Sequence, residues 1–170
     1  MRFETPLIKG KLIKRYKRFL ADVVVDGETV VAHCANTGSM KSCWQEGDTV
    51  YLSYHSSSKR KLKYTWELSK TKGGYIGLNT QRPNQIVAEA LADGQIKAFA
   101  GYDKLRREVK FRDSKFDILL EDSKEKKPKC WVEVKNVTLF DDEKVLFPDA
   151  VTTRGIKHLL TLEEAVRQGD

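Results

Sequence analysis

The sequence contains few cysteines and no long hydrophobic run, and these shortages exclude several classes of protein. Its three cysteines, Cys34, Cys43 and Cys130, are odd in number and widely spaced, which argues against a disulfide framework and for a reducing compartment. No apolar run approaches the roughly 20 residues that cross a bilayer. The first twelve residues carry scattered charges and lack the apolar core of a signal peptide. We therefore expect a cytoplasmic protein with no membrane partner.

The charge of the chain is unevenly distributed along its 170 residues. Charged residues make up 32% and apolar residues 40%, which is typical of a folded protein with one good core or two small ones. Residues 1–78 contain 14 Lys and Arg against 7 Asp and Glu, whereas residues 79–170 contain 17 of each, so the net charge of +7 lies entirely in the first half. Such a basic module favours a polyanionic partner, although a merely soluble basic surface would have the same composition.

The first half is typical of a small β-barrel. Five segments rich in β-branched and aromatic residues, separated by glycine-containing turns, predict strands over residues 7–16, 18–25, 29–32, 48–54 and 62–68. Five short strands in about 75 residues fit a closed barrel, and the oligonucleotide-binding (OB) barrel is the commonest form that binds nucleic acid. Another small barrel would have the same pattern.

The second half changes to a mixed α/β pattern. Helical spacing predicts helices over residues 84–97 and 153–168, and alternating segments predict strands over 104–111, 115–121 and 130–139. We therefore predict two domains, a barrel over residues 1–78 and an α/β domain over residues 79–170.

Two acids and a lysine in the second half suggest a catalytic centre. Asp117 interrupts an apolar strand, and Glu133 and Lys135 lie on one face of the next predicted strand. In a hairpin, Asp117 would lie within about one register step of Glu133. Two carboxylates can hold Mg²⁺, with Mn²⁺ as a substitute, while a lysine stabilises charge on phosphorus. The pattern resembles the PD-(D/E)XK nuclease superfamily; the alternative is an ordinary solvent-facing Glu–Lys pair.

Three basic segments are candidate nucleic-acid contacts. Arg154 and Lys157, at the predicted start of the last helix, form a plausible phosphate clamp, or else a solvated face behind a threonine cap. We expect His158 beside them to be a packed surface residue. In the first half, two basic segments, residues 9–19 and 59–64, combine cations with aromatic rings, and the candidates within them are Lys14, Arg15, Tyr16, Lys17, Arg18, Lys59, Arg60 and Lys61. The spacing of His33, Cys34, Cys43 and His55 matches no compact zinc finger.

Longer motifs resemble the sugar fermentation stimulation protein A family. They lie in the family's order at residues 33–40, 64–68, 79–84, 115–117, 132–139 and 147–159. The resemblance implies an OB-like domain, a PD-(D/E)XK nuclease-like domain, DNA binding and a link to the regulation of sugar (maltose) catabolism. It also implies that Asp117, Glu133 and Lys135 occupy the nuclease-like active-site positions, with Arg154 and Lys157 nearby.

The chain differs from the family at its C-terminal end. Family members continue beyond the last helix with further strands and a helix, so we expect the nuclease-like sheet to lack its C-terminal strands and to have an open edge. The core would then belong to a shortened member or be completed by another chain, which allows a homo-oligomer. Three functions follow as hypotheses: a Mg²⁺-dependent DNA nuclease, a non-enzymatic DNA-binding regulator of sugar catabolism genes, and a basic module that binds RNA or an acidic protein.

Overall fold

The computed structural model describes residues 3–141, 144–147 and 153–170. The chain divides into two compact units, one formed by residues 2–81 and 136–149 and the other mainly by residues 82–135 and 150–170. None of the described helices is both long and apolar enough to cross a membrane.

The first unit is a closed barrel. Its strands are β1 (Ile8–Tyr16), β2 (Leu20–Val25), β3 (Glu28–Cys34), β4 (Thr49–Tyr54), β5 (Tyr64–Thr71) and β6 (Gly74–Gly77). They pair in the order β3-β2-β1-β4-β5-β6, and a parallel pairing of β3 with β5 closes five of them into a barrel. Alternate residues of each strand point inward, so that Leu12, Val23, Leu52 and Trp66 form the buried core. The predicted OB-like barrel is confirmed.

Local backbone chemistry explains the barrel's tight turns. Asp26 and Gly27 have φ angles of 49° and 87°, which are the left-handed conformations of a two-residue hairpin between β2 and β3. Lys17 and Arg18 also have positive φ angles, 48° and 61°, so the turn before β2 includes Arg18 and the strand begins at Leu20. The prediction that this strand starts at residue 18 was wrong, and β6 was not predicted.

The second unit is a three-stranded antiparallel sheet with two helices. Its elements are α1 (Arg82–Ala92), a 3₁₀ helix (Lys97–Phe99), β7 (Lys104–Phe111), β8 (Ser114–Glu121), β9 (Cys130–Val132) and α2 (Thr153–Arg167), with sheet order β7-β8-β9. Helix α1 ends five residues earlier than predicted because Gly94, at φ 65°, ends it: the Gly94 N–H donates to the Leu91 carbonyl at 3.1 Å and the Gln95 N–H to the Ala90 carbonyl at 2.9 Å. Ala88 of α1 packs on Ile118 and Leu120 of β8. The α/β character of this region is confirmed.

The strand predicted over residues 130–139 is wrong. β9 ends at Val132, and β10 (Leu139–Asp141) and β11 (Lys144–Leu146) pair with each other as a separate antiparallel sheet. Residues 136–149 belong to the barrel unit, whereas the predicted boundary assigned them to the second domain. The Thr138 carbonyl accepts hydrogen bonds from the Ser42 hydroxyl (3.1 Å) and the Cys43 thiol (3.4 Å), which attach this segment to the barrel.

Candidate functional site

Asp117 lies in the middle of β8 between two fully buried residues, Phe116 and Ile118. A carboxylate in such surroundings requires hydrogen-bond donors, and it has two. The side-chain amide of Asn84, in the first turn of α1, donates to Oδ1 at 2.5 Å, and the backbone N–H of Val134 donates to Oδ2 at 2.8 Å. The second bond forms two residues beyond the end of β9. The carboxylate is therefore held in one orientation by two elements of the unit.

Glu133 follows β9 directly. The β8–β9 register pairs Ile118 with Val132, so its next step brings Glu133 opposite Asp117. The Glu133 side chain is only 11% exposed. Its Oε1 accepts hydrogen bonds from His158 Nδ1 at 2.7 Å and from Lys135 Nζ. Its Oε2 is buried and makes no hydrogen bond to any residue that the structure describes. The site thus contains one carboxylate oxygen that is removed from water and still has its full capacity to accept a ligand.

Lys135 lies on the same side of its segment as Glu133. Lys135 contacts Glu133 across two positions of an extended segment, as alternation requires, while Val132 and Val134 pack on the apolar core. The lysine remains 41% exposed. Its ammonium group therefore lies at the solvent boundary of an otherwise buried cluster.

Two polar members of this cluster were not predicted, His158 and Asn84. His158 is 7% exposed, and its ring lies 5.6 Å from that of Phe116. On α2 it shares one face with Thr161, which hydrogen-bonds Ser114 of β8 at 3.0 Å, and with buried Ala165. Spacings of three and seven residues place these side chains on one helical stripe, and a histidine on a buried stripe needs a polar partner. The helical stripe was the feature of the sequence from which the burial of His158 could have been predicted. His158 is buried, so the expected surface location is wrong.

Arg154 and Lys157 lie on the exposed side of the first turn of α2. Lys157 Nζ donates to the backbone carbonyl of Asp113 at 2.9 Å, which holds it beside the β7–β8 turn. The threonine cap considered for this helix falls partly on residue 152, outside the described residues.

The predicted basic residues of the barrel have different surroundings. Arg15 is half-buried, and one of its terminal nitrogens donates to the carbonyls of Arg18 and Asn36 (both 2.9 Å) and Gly38 (3.2 Å). Tyr16 donates its hydroxyl to Asp22, a bond that raises the pKa of the phenol, and Lys14 lies over the Tyr16 ring at 5.5 Å. The remaining cations are exposed, either in the β1–β2 turn or in the loop after β4: Lys17, Arg18, Lys59, Arg60 and Lys61.

The residues described by the structure contain no group of three or more His, Cys, Asp or Glu side chains placed to hold a metal by themselves. Asp117 and Glu133 are therefore a two-carboxylate arrangement. Such an arrangement matches the requirements of Mg²⁺, which keeps several waters and is completed by substrate oxygens.

The architecture is that of a two-part protein, with an OB-like barrel followed by a small α/β domain. Residues 13–78 match the family described as SfsA N-terminal OB domain, and residues 81–170 match the sugar fermentation stimulation protein RE domain. The chain belongs to the sugar fermentation stimulation protein family, as its motifs predicted.

Individual relatives agree with this assignment. A sugar fermentation stimulation protein homolog from Rhodospirillum rubrum is 54% identical over 180 residues, covering 99% of this chain and 74% of that protein. A homolog from Geobacter metallireducens is 51% identical over 173 residues, covering 100% of this chain and 73% of that protein. The solved structure of Pyrococcus furiosus SfsA, in complex with Ca²⁺, has a TM-score of 0.84 at 23% identity and covers 100% of this chain and 71% of that one. The last comparison shows a shared fold.

Proposed function

We propose that this protein binds DNA through its basic barrel and hydrolyses phosphodiester bonds in its second domain with the help of a divalent cation. The observation that carries the proposal is the pair formed by Asp117 and Glu133 at one register step of the β8–β9 hairpin, with Lys135 beside them. Two acids and a lysine at the end of one hairpin are the groups that phosphodiester hydrolysis near neutral pH requires.

The residues present fit a hard divalent cation such as Mg²⁺, with Mn²⁺ as a substitute. The fit rests on the buried, unpartnered Oε2 of Glu133, because an oxygen without a donor in a dry site is suited to accept a cation. Asp117 uses one lone pair on each oxygen for Asn84 and Val134 and keeps another on each. When bound, the cation would polarise the phosphate and lower the pKa of an attacking water. The Ca²⁺ in the complex of Pyrococcus furiosus SfsA is a cation of the same oxygen-preferring kind.

The other residues of the cluster would orient and neutralise charge. His158 fixes the Glu133 carboxylate through Nδ1, and Asn84 fixes Asp117, so both act as positioning residues. Lys135 supplies a positive charge at the solvent boundary, where a phosphate oxygen of the substrate would gain negative charge. Arg154 and Lys157 add two exposed cations on the helix that carries His158, available to the neighbouring phosphates.

A second candidate is DNA binding without hydrolysis, as expected of a regulator of sugar catabolism genes. It is favoured by the contacts of Glu133 Oε1, which already bonds both Lys135 and His158. In this alternative, the lysine and histidine stabilise the carboxylate, and the cluster holds β9 to α2 without taking part in a reaction.

A plasmid assay separates the two candidates. Purified protein is incubated with supercoiled plasmid in Mg²⁺, in Mn²⁺ and in chelator, beside Glu133→Ala and a matched control, Glu163→Ala, which removes a 55% exposed glutamate from α2. Nicking that requires metal, disappears in Glu133→Ala and persists in Glu163→Ala would establish hydrolysis. Plasmid that is retarded but intact in every lane would establish binding alone, and plasmid that is neither cut nor retarded would refute both candidates.

A further inference from the structure

The outer face of β1, β4, β5 and β6 carries a row of cations and aromatic rings, of which only Lys9 and Lys11 belong to a predicted basic segment, residues 9–19. Cross-strand pairing joins Lys11 to Thr49, Thr49 to Lys70, and Lys70 to Tyr75. The next row pairs Lys9 with Tyr51. We call Lys9, Lys11, Tyr51, Lys70 and Tyr75 the tyrosine–lysine strip. It spans four strands, or about 14 Å at the usual strand spacing.

The members of the strip face solvent because their neighbours along each strand face the core. Gly10 and Leu12 alternate with Lys9 and Lys11 and are buried, as is Val50 beside Tyr51. Tyr75 is 62% exposed, so most of its surface is not used for packing within the barrel. Lys9, Lys11 and Lys70 are exposed. The Lys11 ammonium donates long hydrogen bonds to the Gly47 carbonyl (3.3 Å) and the Thr49 hydroxyl (3.2 Å), which hold it at the barrel surface where a ligand can reach it.

The two tyrosine rings contact each other at an interplanar angle of 55°. Their ring centroids lie 5.7 Å apart, and Lys70 Nζ lies 5.9 Å from the centroid of the Tyr75 ring. The hydrogen bond that the Tyr51 hydroxyl donates to Tyr75 raises the pKa of Tyr51. The Tyr51 phenol therefore stays neutral at physiological pH and does not repel a phosphate.

The strip has no neighbouring negative charge on its own strands. β1, β4 and β6 contain no Asp or Glu, and the one acid of β5, Glu67, is 2% exposed and accepts hydrogen bonds from Ser53 (2.8 Å) and Asn79 (3.0 Å). The opposite situation holds on β2 and β3. These strands contain Asp22 and Glu28 and no Lys or Arg, although strands 2 and 3 form the usual ligand face of OB folds.

A shallow cleft of about 280 Å³ continues the strip at the β5–β6 turn. Lys41 and Lys72 line it together with half-buried Trp44. Asp48, which also lines it, accepts the backbone N–H of Gln45 at 2.7 Å. The cleft therefore adds two cations and a third aromatic side chain close to the β5–β6 turn.

We infer that the tyrosine–lysine strip binds single-stranded nucleic acid, with bases stacked on Tyr75 and Tyr51 and phosphates paired with Lys9, Lys11 and Lys70. Exposed aromatic rings bind unpaired bases because every base has a free π-face, whereas the bases of a duplex are already stacked on each other. Lysines alone would bind single-stranded and duplex nucleic acid alike. The preference for a single strand therefore rests on the tyrosines. This inference rests on the nucleic-acid binding of the proposed function and specifies the strand form and the face of the barrel.

Fluorescence anisotropy of the full chain in chelator, where no cleavage occurs, tests the strip. The probes are a labelled oligo-dT of fifteen nucleotides and a labelled blunt duplex. The variants are Tyr75→Ala and Tyr75→Phe. The matched control is Tyr54→Ala, which removes a 44% exposed tyrosine from the far end of β4. We expect Tyr75→Ala to weaken oligo-dT binding about 5- to 150-fold, the alanine cost of one stacked base, while Tyr75→Phe and Tyr54→Ala stay within about twofold.

The salt dependence provides a second readout. Lys70→Ala should reduce the slope of log affinity against log salt on oligo-dT by about 0.7, the value for one phosphate contact on a single strand. Equal losses on oligo-dT and duplex in Tyr75→Ala, or no loss on either, would overturn the strip while leaving barrel-mediated binding intact. Failure of the unaltered protein to bind both probes would refute the proposed function together with the strip.

Discussion

The contact between Glu133 and His158 leads to a quantitative prediction about how the second unit is held together. The hydrogen bond joins groups that are 11% and 8% exposed in their side chains, so water screens it little. Hydrogen bonds to a charged group contribute about 1.5–3 kcal/mol. We therefore expect a double-mutant cycle of Glu133→Ala and His158→Ala to give a coupling free energy in that range.

The matched cycle lies on the same helix. Glu163 and Arg167 form an exposed pair at 2.6 Å, four residues apart, for which the coupling should be about 0.3–0.5 kcal/mol. Trp44 and Trp66 belong to the barrel and would obscure a fluorescence signal from Trp131. Hydrogen exchange of the β8 amides avoids this problem, because it reports the opening free energy of the second unit alone. A Glu133–His158 coupling no larger than that of the exposed pair would refute the reasoning.

Two other predictions concern the barrel and the long loop of the second unit. A methyl group at Gly10 would lie 2.4 Å from Val23 Cγ1, so Gly10→Ala should lower the free energy of unfolding, measured in urea, by about 1–3 kcal/mol. The control is Gly77→Ala, whose methyl group would meet nothing within 4 Å. Equal effects of the two substitutions would contradict this interpretation. Hydrogen bonds from the Ser123 hydroxyl and N–H lower the pKa of Asp103. A group whose folded-state pKa is lowered contributes stability above the unfolded value of about 3.9 and loses it as pH falls through the folded value. Asp103→Ala should therefore lower the melting temperature more at pH 6 than at pH 3. The same loss at both pH values would show that the charge of Asp103 is irrelevant.

The core of the candidate site follows from short-range patterns in the sequence. Alternation places Glu133 and Lys135 on one side of an extended segment, and a hairpin brings Asp117 within about one register step of Glu133. The pairing of Ile118 with Val132 in the structure fixes the exact register. The barrel could be predicted from the sequence in the same way, because Ala21, Val23 and Val25 alternate with half-exposed residues in a strand bounded by a turn.

The features that could not be predicted depend on long-range contacts. Residues 133–138 have a strand-like composition. However, the Val134 N–H donates to the Asp117 carboxylate, and the Thr138 carbonyl accepts a hydrogen bond from Ser42 of the barrel. Both partners are distant in sequence, so local propensity misses the end of β9. The role of His158 likewise depends on which face of α2 meets β8, which is a property of packing.

The path of the chain through its two units has a consequence for modularity. The chain leaves the second unit after Lys135, contributes residues 136–149 to the barrel unit, and returns to form the helix that carries His158. A single cut between residues 81 and 82 would therefore separate Thr138 from Ser42 and Cys43. Neither half can be exchanged between proteins as one continuous cassette, so a recombination event that preserves both folds must respect three junctions in the sequence.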